Sequence, residues 1–191
     1  AKENHLKRIF NGPILHQDRF HPLLVAGPFV VREGNKYKMW YCSGTEWKFP
    51  DENPEPIYTV FYAESNDGLT WVAHPEPVIP YQFDGEVISA PWVVKTTQGY
   101  SMWYCMRGSK SRKDKHYRIG YAESKDGITW TRLDKQTGID VSLDGWDAEM
   151  ICYPAVFNHK DNTYMLYSGN GVGRGGIGYA IADKKIDIID W

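Results

Sequence analysis

Three stretches of the sequence decide the fold, because they are versions of one another: LLVAGPFVVREGNKYKMWYCSG (23–44), EVISAPWVVKTTQGYSMWYCMR (86–107) and EMICYPAVFNHKDNTYMLYSGN (149–170). Each stretch begins 63 residues after the one before it. A proline, a valine, a methionine and a tyrosine recur in all three: Pro28, Pro91 and Pro154; Val30, Val93 and Val156; Met39, Met102 and Met165; Tyr41, Tyr104 and Tyr167. Agreement at this many positions indicates an internal repeat.

A second set of similar segments follows at a slightly shorter spacing: TVFYAESNDGLTWV (59–72), RIGYAESKDGITWT (118–131) and GIGYAIADKK (176–185). Each repeat therefore contains an apolar run through the proline, a Gly/Asn turn, a second strand, a variable loop and a third strand. Asp67-Gly68 and Asp126-Gly127 predict hairpin turns into a fourth strand. Four antiparallel strands repeated in this way are typical of a β-propeller blade.

The sequence thus predicts an all-β fold, a β-propeller of four-stranded antiparallel blades. We expect residues 1–15 to end a preceding blade, 16–80 and 81–140 to form one blade each, and 141–191 to form an incomplete blade. A propeller usually needs about 4–8 blades to close. About three blades of an expected five are present, so either further blades in front of this chain or self-association would have to complete the ring.

Composition excludes several classes of protein. The formal net charge of −2 argues against a globally basic nucleic-acid binder, and no apolar run approaches the ~18–20 residues of a membrane span. The 3 cysteines are few, and their number is odd, which argues against a disulfide scaffold. We therefore expect reduced, buried thiols. No signal peptide is visible, which favours a cytoplasmic location. The chain begins without a Met, however, which leaves a removed leader open.

The pattern YAES-x-DG-x-TW, a proline-centred inner strand and then MWYC or MLYSGNG resembles the five-bladed β-propeller glycosidase-like proteins, which are relatives of glycoside hydrolase families 43 and 32. The resemblance implies hydrolysis of a glycosidic bond by three acidic residues: a base or nucleophile, an acid, and an Asp that tunes the acid's pKa. In those enzymes a carboxylate often stands one or two residues before the inner-strand proline. Here those positions hold Ala26 and Gly27, Ser89 and Ala90, and Cys152 and Tyr153, so the acidic trio cannot be transferred.

Acidic residues do occur slightly earlier, where inner strands of a propeller begin at the channel mouth. Asp84 and Glu86 in one repeat match Asp147 and Glu149 in the next. Residues two apart on a strand face the same side, so we expect these carboxylates to approach each other, with Glu149 as acid, Glu86 as its partner, and both aspartates tuning or orienting. Alternatively, these acids pair with Arg or Lys of a neighbouring blade. His21 occupies the matching position in the first repeat and either contacts a sugar hydroxyl or is structural.

Further candidate substrate-binding residues lie at the same end of the predicted blades. Trp47 is expected to stack on a sugar ring, and Arg107 or Arg174 to meet an anionic group such as a uronic acid or sugar phosphate. Tyr153 precedes an inner-strand proline, and Asn170 lies in a glycine-rich loop. The alternative interpretation of these loops is that they are solvated and carry no ligand.

The sequence therefore predicts a glycoside-acting hydrolase. A non-catalytic carbohydrate-binding propeller and a structural oligomerisation module are the two alternatives. The expected partner is a carbohydrate, with no nucleic acid and no membrane. No Cys/His cluster has zinc spacing, and no cofactor is expected, although a divalent ion in the central channel is left open.

Overall fold

The computed structural model describes residues 6–48, 54–108, 116–189 and 191, and confirms an all-β fold of antiparallel sheets. Within these ranges, twelve strands follow one another: β1 (Val25–Glu33), β2 (Lys36–Lys48), β3 (Glu55–Ser65), β4 (Val72–Ala73), β5 (Val87–Thr96), β6 (Gly99–Arg107), β7 (Arg118–Ser124), β8 (Trp130–Arg132), β9 (Cys152–His159), β10 (Asn162–Ser168), β11 (Ile177–Ile181) and β12 (Ile188–Ile189). The helical segments of the described residues are a 3-10 turn (Asp134–Gln136) and a four-residue turn (Asn170–Gly173).

The described strands form three sheets, each a meander of sequence neighbours apart from β12. Sheet 1 has the order β1-β2-β3-β4, sheet 2 the order β12-β5-β6-β7-β8, and sheet 3 the order β11-β10-β9. The first strands of the sheets, β1, β5 and β9, carry the three repeated prolines. The repeated sequence therefore folds into repeated structure.

The sheets pack face to face in series because the central strands are apolar on both sides. In β6, Met102 and Tyr104 belong to a core cluster shared with Trp40 and Tyr62 of sheet 1. Trp103, which alternates with them, belongs to a second cluster shared with sheet 3. Side chains alternate between the two faces of a strand, so β6 contributes to both interfaces at once.

The Asp-Gly segments form tight turns, as predicted. The Asp67 carboxylate accepts hydrogen bonds from the backbone N–H groups of Leu69 and Thr70, at 2.8 and 2.7 Å, and one from the Ser65 hydroxyl. These bonds, led by the one from Thr70, lower the pKa of Asp67 to about 2. Asp126 makes the same contacts in sheet 2. Both aspartates thus stabilise turns.

Strand β12 lies in sheet 2, although its sequence follows the third repeat. Ile188 and Ile189 pair with Thr96 and Lys95 at the end of β5. Without a neighbouring strand, the edge of β5 would leave its backbone N–H and C=O groups unpaired. Strand β12 pairs with two residues of this edge. Ile186 and Ile188 also pack against the core cluster between sheets 2 and 3. The chain end therefore links two sheets rather than adding a fourth strand to sheet 3.

Each inner strand is irregular just before its proline. Gly27, Ala90 and Tyr153 are equivalent residues, and all have left-handed backbones with φ of 60°, 49° and 56°. The ladders shift register at the same places, between Ala26 and Phe29 in β1 and between Ser89 and Trp92 in β5. Glycine adopts this conformation readily, whereas alanine and tyrosine do so at a cost in strain.

The outward face of sheet 3 is apolar and exposed. Its large side chains include Phe157, Leu166, Ile177 and Tyr179. In the repeat, Ile177 matches Ile119, yet Ile177 is 75% exposed and Ile119 only 3%. Leu166 matches Trp103, which is buried against sheet 3. Sheet 3 therefore exposes the surface that is equivalent to those by which sheets 1 and 2 pack against the next sheet.

Candidate functional site

One face of the molecule collects most of the predicted site residues. The inner strands β1, β5 and β9 begin there, while the second strands β2, β6 and β10 end there. We call this the mouth face. The third strands β3, β7 and β11 begin at the same face, because each is antiparallel to the second strand that ends there.

Glu86 lies beneath the mouth face and is 1% exposed. Both of its carboxylate oxygens accept hydrogen bonds from the Arg132 guanidinium, each at 2.8 Å, and the backbone N–H of Gln82 donates a third at 2.7 Å. Arg132 also donates to Asp134 at 2.8 Å. A buried carboxylate in a two-pronged ion pair cannot reach a sugar, so the predicted catalytic role for Glu86 does not fit. It is half of a structural ion pair.

His21 and Asp147, at matching repeat positions, are also buried, with 1% and 3% exposure. The Tyr41 hydroxyl lies 2.9 Å from Nε2 of His21, whose Nδ1 lies 2.7 Å from the Asp18 carboxylate. In sheet 3, the Tyr167 hydroxyl donates to Asp147 at 2.8 Å. In both sheets the repeated tyrosine thus holds the segment in front of the inner strand. This burial does not fit the predicted contact of His21 with a sugar hydroxyl, whereas the tuning role of Asp147 stays a prediction because it requires no contact with the sugar.

Asp84 and Trp47 are exposed at the mouth face. The Lys48 ammonium lies 2.9 Å from the Asp84 carboxylate, whose side chain is 69% exposed. Gly85, with a φ of 82°, separates Asp84 from Glu86 and turns the backbone between them. The two carboxylates therefore diverge instead of sharing a side. Trp47 is half exposed on the extended end of β2, opposite Pro56, where its ring is available for stacking.

Glu149 is exposed at the start of the third repeat. Its backbone is fixed on both sides: the N–H donates to Oδ1 of Asn170 at 2.8 Å, and the carbonyl accepts from Arg118 at 2.8 Å. Asn170 also accepts from the Met150 N–H and donates to the Gly145 carbonyl. Asn170 therefore positions the segment that carries Glu149, rather than offering its amide to a ligand.

A cluster of one arginine and three tyrosines lies beside it; we call Tyr58, Arg107, Tyr117 and Tyr153 the arginine–tyrosine cluster. The Arg107 guanidinium donates to the Tyr117 hydroxyl at 3.2 Å and lies over its ring, 5.5 Å from the centroid. The Tyr58 and Tyr117 hydroxyls are 3.1 Å apart. Within the described residues, no carboxylate forms an ion pair with Arg107. A half-buried cation that meets no acid among the described residues is available to a ligand.

The protonation states in this cluster follow from burial. Burial by itself would lower the pKa of Arg107, but the nearby hydroxyls of Tyr117 and Tyr58 raise it, so the guanidinium stays charged. Burial raises the pKa of Tyr58 and Tyr153, and the neighbouring Tyr117 adds to both effects. Tyr58 and Tyr153 are therefore neutral hydrogen-bonding groups near pH 7.

Two further findings delimit the site. Arg174 is exposed beside the turn that follows β10, away from any carboxylate of the described chain. Across residues 6–48, 54–108, 116–189 and 191, no three His, Cys, Asp or Glu side chains group closely enough to hold a metal ion. In the same ranges no helix is both long and apolar enough to cross a membrane.

Sequence reasoning missed two parts of this region. Tyr58 and Tyr117 hold matching positions one residue before the repeated segments 59–72 and 118–131, and that regularity is a detectable signal. Arg132, the partner of Glu86, carries no comparable signal, because its role depends on a contact between residues 46 positions apart. The loop between β6 and β7 also contains basic residues that lie outside the described residues: Lys110, Arg112, Lys113 and Lys115.

Sequence comparison finds relatives of unestablished and of named activity. The chain is 40% identical over 174 residues to Rv1502, an uncharacterised protein of Mycobacterium tuberculosis, which covers 90% of this chain and 55% of that protein. It is 29% identical over 135 residues to a β-1,2-mannobiose phosphorylase of a Thermoanaerobacter species, with 65% and 44% coverage. The chain thus spans about half the length of the curated relatives it matches. No protein-family profile matches it.

Solved structures resemble the chain more completely. A glycoside hydrolase superposes with a TM-score of 0.73 over 95% of this chain and 54% of that one, at 23% identity. A family 32 β-fructofuranosidase of Bombyx mori gives a TM-score of 0.64 over 87% of this chain and 37% of that one, at 20% identity. This chain therefore has the β-propeller fold found in glycoside hydrolases, as its repeats predicted.

Proposed function

We propose that this chain is part of a glycoside-acting β-propeller that binds a carbohydrate at the mouth face. The observation that carries the proposal is the arginine–tyrosine cluster beside the exposed Glu149: among the described residues, its charged guanidinium has no acid partner and contacts phenol hydroxyls. Aromatic faces and a few converging polar groups are what carbohydrate and other small-molecule sites require.

Within the described residues, Glu149 is the one predicted catalytic carboxylate that is both exposed and free of an ion pair. Its backbone is held by Asn170 and Arg118, so the carboxylate is carried on a fixed segment. Glycosidases place two carboxylates about 5–10 Å apart on either side of the scissile bond. In this proposal Glu149 is the acid, and the second carboxylate comes from outside the residues described here.

A five-bladed ring is part of the same proposal. Ile177 and Leu166 lie on the exposed face of sheet 3, whereas the residues at the same repeat positions in sheets 1 and 2 are buried between sheets. The stretch that matches this chain also makes up 55% of one curated relative and 44% of another. Further blades packed on this face would close the ring and bring additional acids to the mouth.

A second candidate, non-catalytic carbohydrate binding, is favoured by the burial of Glu86 and Asp147 in structural contacts. It needs the arginine–tyrosine cluster but no acid. The two candidates differ only in whether a bound glycoside is cleaved, and one relative is named a phosphorylase, so cleavage must be assayed with and without phosphate.

The test measures binding and cleavage of three disaccharides: β-1,2-mannobiose, sucrose and xylobiose. Binding is followed by calorimetry and cleavage by chromatography of the products, with and without inorganic phosphate. We expect Arg107→Met to weaken binding by about 10- to 100-fold, because a charged donor to the ligand is lost. We expect Glu149→Gln to bind normally and to lose turnover.

Asp161→Asn is the matched control for Glu149→Gln, since Asp161 is an exposed acid in the turn between β9 and β10, at the opposite end of the sheet. It should change neither binding nor cleavage. Binding without cleavage by the unaltered protein would select the second candidate. Unchanged binding by Arg107→Met would contradict the proposed site.

A further inference from the structure

A thiol at each internal sheet boundary faces the irregular inner strand of the next sheet. The Cys42 thiol of sheet 1 faces the backbone N–H of Ala90 in sheet 2. Cys105 of sheet 2 accepts from the backbone N–H of Tyr153 in sheet 3, with an N–S distance of 3.0 Å. Cys42 and Cys105 are equivalent in the repeat, as are Ala90 and Tyr153. The contact is thus a repeated feature of the boundaries.

What differs between the two boundaries is the side chain carried by the left-handed residue. Ala90 carries a methyl group, whereas Tyr153 carries a ring that is 49% exposed. A tyrosine at φ 56° is uncommon, because its Cβ crowds the backbone. Strained residues of this kind concentrate where a side chain must be aimed at a ligand.

The segment that carries Tyr153 lies beside the arginine–tyrosine cluster. Tyr117 packs against Met150 and Cys152, which flank Ile151 at the start of β9. The Tyr117 carbonyl accepts a hydrogen bond from the Ile151 N–H at 3.1 Å, so Tyr117 is fixed next to the start of β9. Tyr117 in turn contacts Arg107 and Tyr58.

We infer that Tyr153 is the stacking residue for the bound sugar, and that Cys105 is its positioning residue, holding the left-handed backbone that aims the ring at the mouth. This inference rests on the proposed carbohydrate site. The thiol holds Tyr153 by accepting its N–H, which has no ladder partner in the irregular part of β9. Without that acceptor the N–H is left buried and unpaired, and the strained conformation loses its support.

The experiment compares the two boundaries with the same three disaccharides, measuring the dissociation constant and the thermal unfolding midpoint of every variant. We expect Tyr153→Phe to bind normally and Tyr153→Ala to bind at least about tenfold more weakly. Tyr153→Gly should bind as weakly as Tyr153→Ala yet unfold at a temperature about 2–4 °C higher than it, because glycine removes the strain at positive φ.

The positioning role is tested by Cys105→Ala against Cys42→Ala, which removes the matching thiol where the facing residue carries no ring. We expect Cys105→Ala to weaken binding about three- to tenfold and Cys42→Ala to change it less than about twofold, with similar losses of stability. Cys105→Ser should restore binding, because a hydroxyl also accepts the N–H and Ser168 occupies this repeat position in sheet 3.

Each outcome decides the inference. Normal binding by Tyr153→Ala overturns the stacking role, and equal losses of binding in the Cys42 and Cys105 variants overturn the positioning role. A lower thermal unfolding midpoint for Tyr153→Gly than for Tyr153→Ala overturns the claim that the backbone of Tyr153 is strained. If the unaltered protein binds none of the three disaccharides, the proposed function itself fails and takes this inference with it.

Discussion

Two arginines of the same sheet illustrate how neighbours assign a role. Arg132 is buried and donates to both Glu86 and Asp134, so its charge is fully compensated inside the protein. Arg107, at the end of β6, meets only tyrosine hydroxyls among the described residues. The first is part of the framework, and the second is available to a ligand. The sequence shows two arginines, and only their partners separate them.

The strongest test of this comparison is Arg132→Met. Removing the guanidinium leaves the Glu86 carboxylate buried without its partner, and such losses cost about 3–5 kcal/mol. We expect a large fall in the free energy of unfolding, measured in denaturant. Arg107→Met is the matched variant and should cost below about 2 kcal/mol, since one cation–π contact and one hydrogen bond to Tyr117 are lost.

If Arg132→Met does not fold, Glu86→Gln and the double variant still resolve the pair, because removing both charges should recover part of the loss. Equal effects of the Arg132 and Arg107 variants would break the comparison.

The second test applies the same reasoning to two isoleucines at one repeat position. Ile119 is buried between sheets 2 and 3, whereas Ile177 lies on the exposed face of sheet 3. We expect Ile119→Ala to lower the free energy of unfolding by about 2–4 kcal/mol and Ile177→Ala by below about 0.5 kcal/mol in the 191-residue chain. In a protein whose further blades cover sheet 3, both substitutions should cost the same. Denaturant unfolding of both variants, in the 191-residue chain and in the longer protein, tests this expectation.

The third test compares two glutamates by pH. Burial by itself would raise the pKa of Glu33, but hydrogen bonds from Lys38, Lys95 and Tyr100 outweigh it and lower that pKa to about 2. The ordinary value is 4.5, so the carboxylate stabilises the fold above pH 4.5, and this contribution is lost as the pH falls from 4.5 towards 2. We expect Glu33→Gln to remove about 1–2 kcal/mol at neutral pH and to flatten the acid limb of the unfolding profile.

Glu149→Gln is the control for this pH series, because no described residue forms an ion pair with Glu149. Its acid limb should follow that of the unaltered protein. A Glu33→Gln variant with the same acid limb as its parent would show that the network at the end of β1 contributes no stability.

The fold was predictable because a repeat reports packing that occurs more than once. Alternating apolar residues around Met102 and Trp103 require a strand buried on both faces, and Asp126-Gly127 requires a turn. The predicted acidic site was less successful, because it assumed that Asp84 and Glu86 lie on a regular strand. Strand β5 begins only at Val87, and Gly85 bends the chain between them. The two-residue periodicity of a strand therefore does not apply to this pair.

By itself, the sequence determined the sheets, their order within each repeat and the residues at the mouth face, since these follow from periodicity along one chain. Only the tertiary structure decided which of those residues are free to act. Whether Glu86 is a catalyst or half of an ion pair depends on Arg132, and how Tyr153 is aimed depends on Cys105 of the neighbouring sheet. Burial and partners are properties of residues distant in sequence, and they come into existence when the sheets pack together.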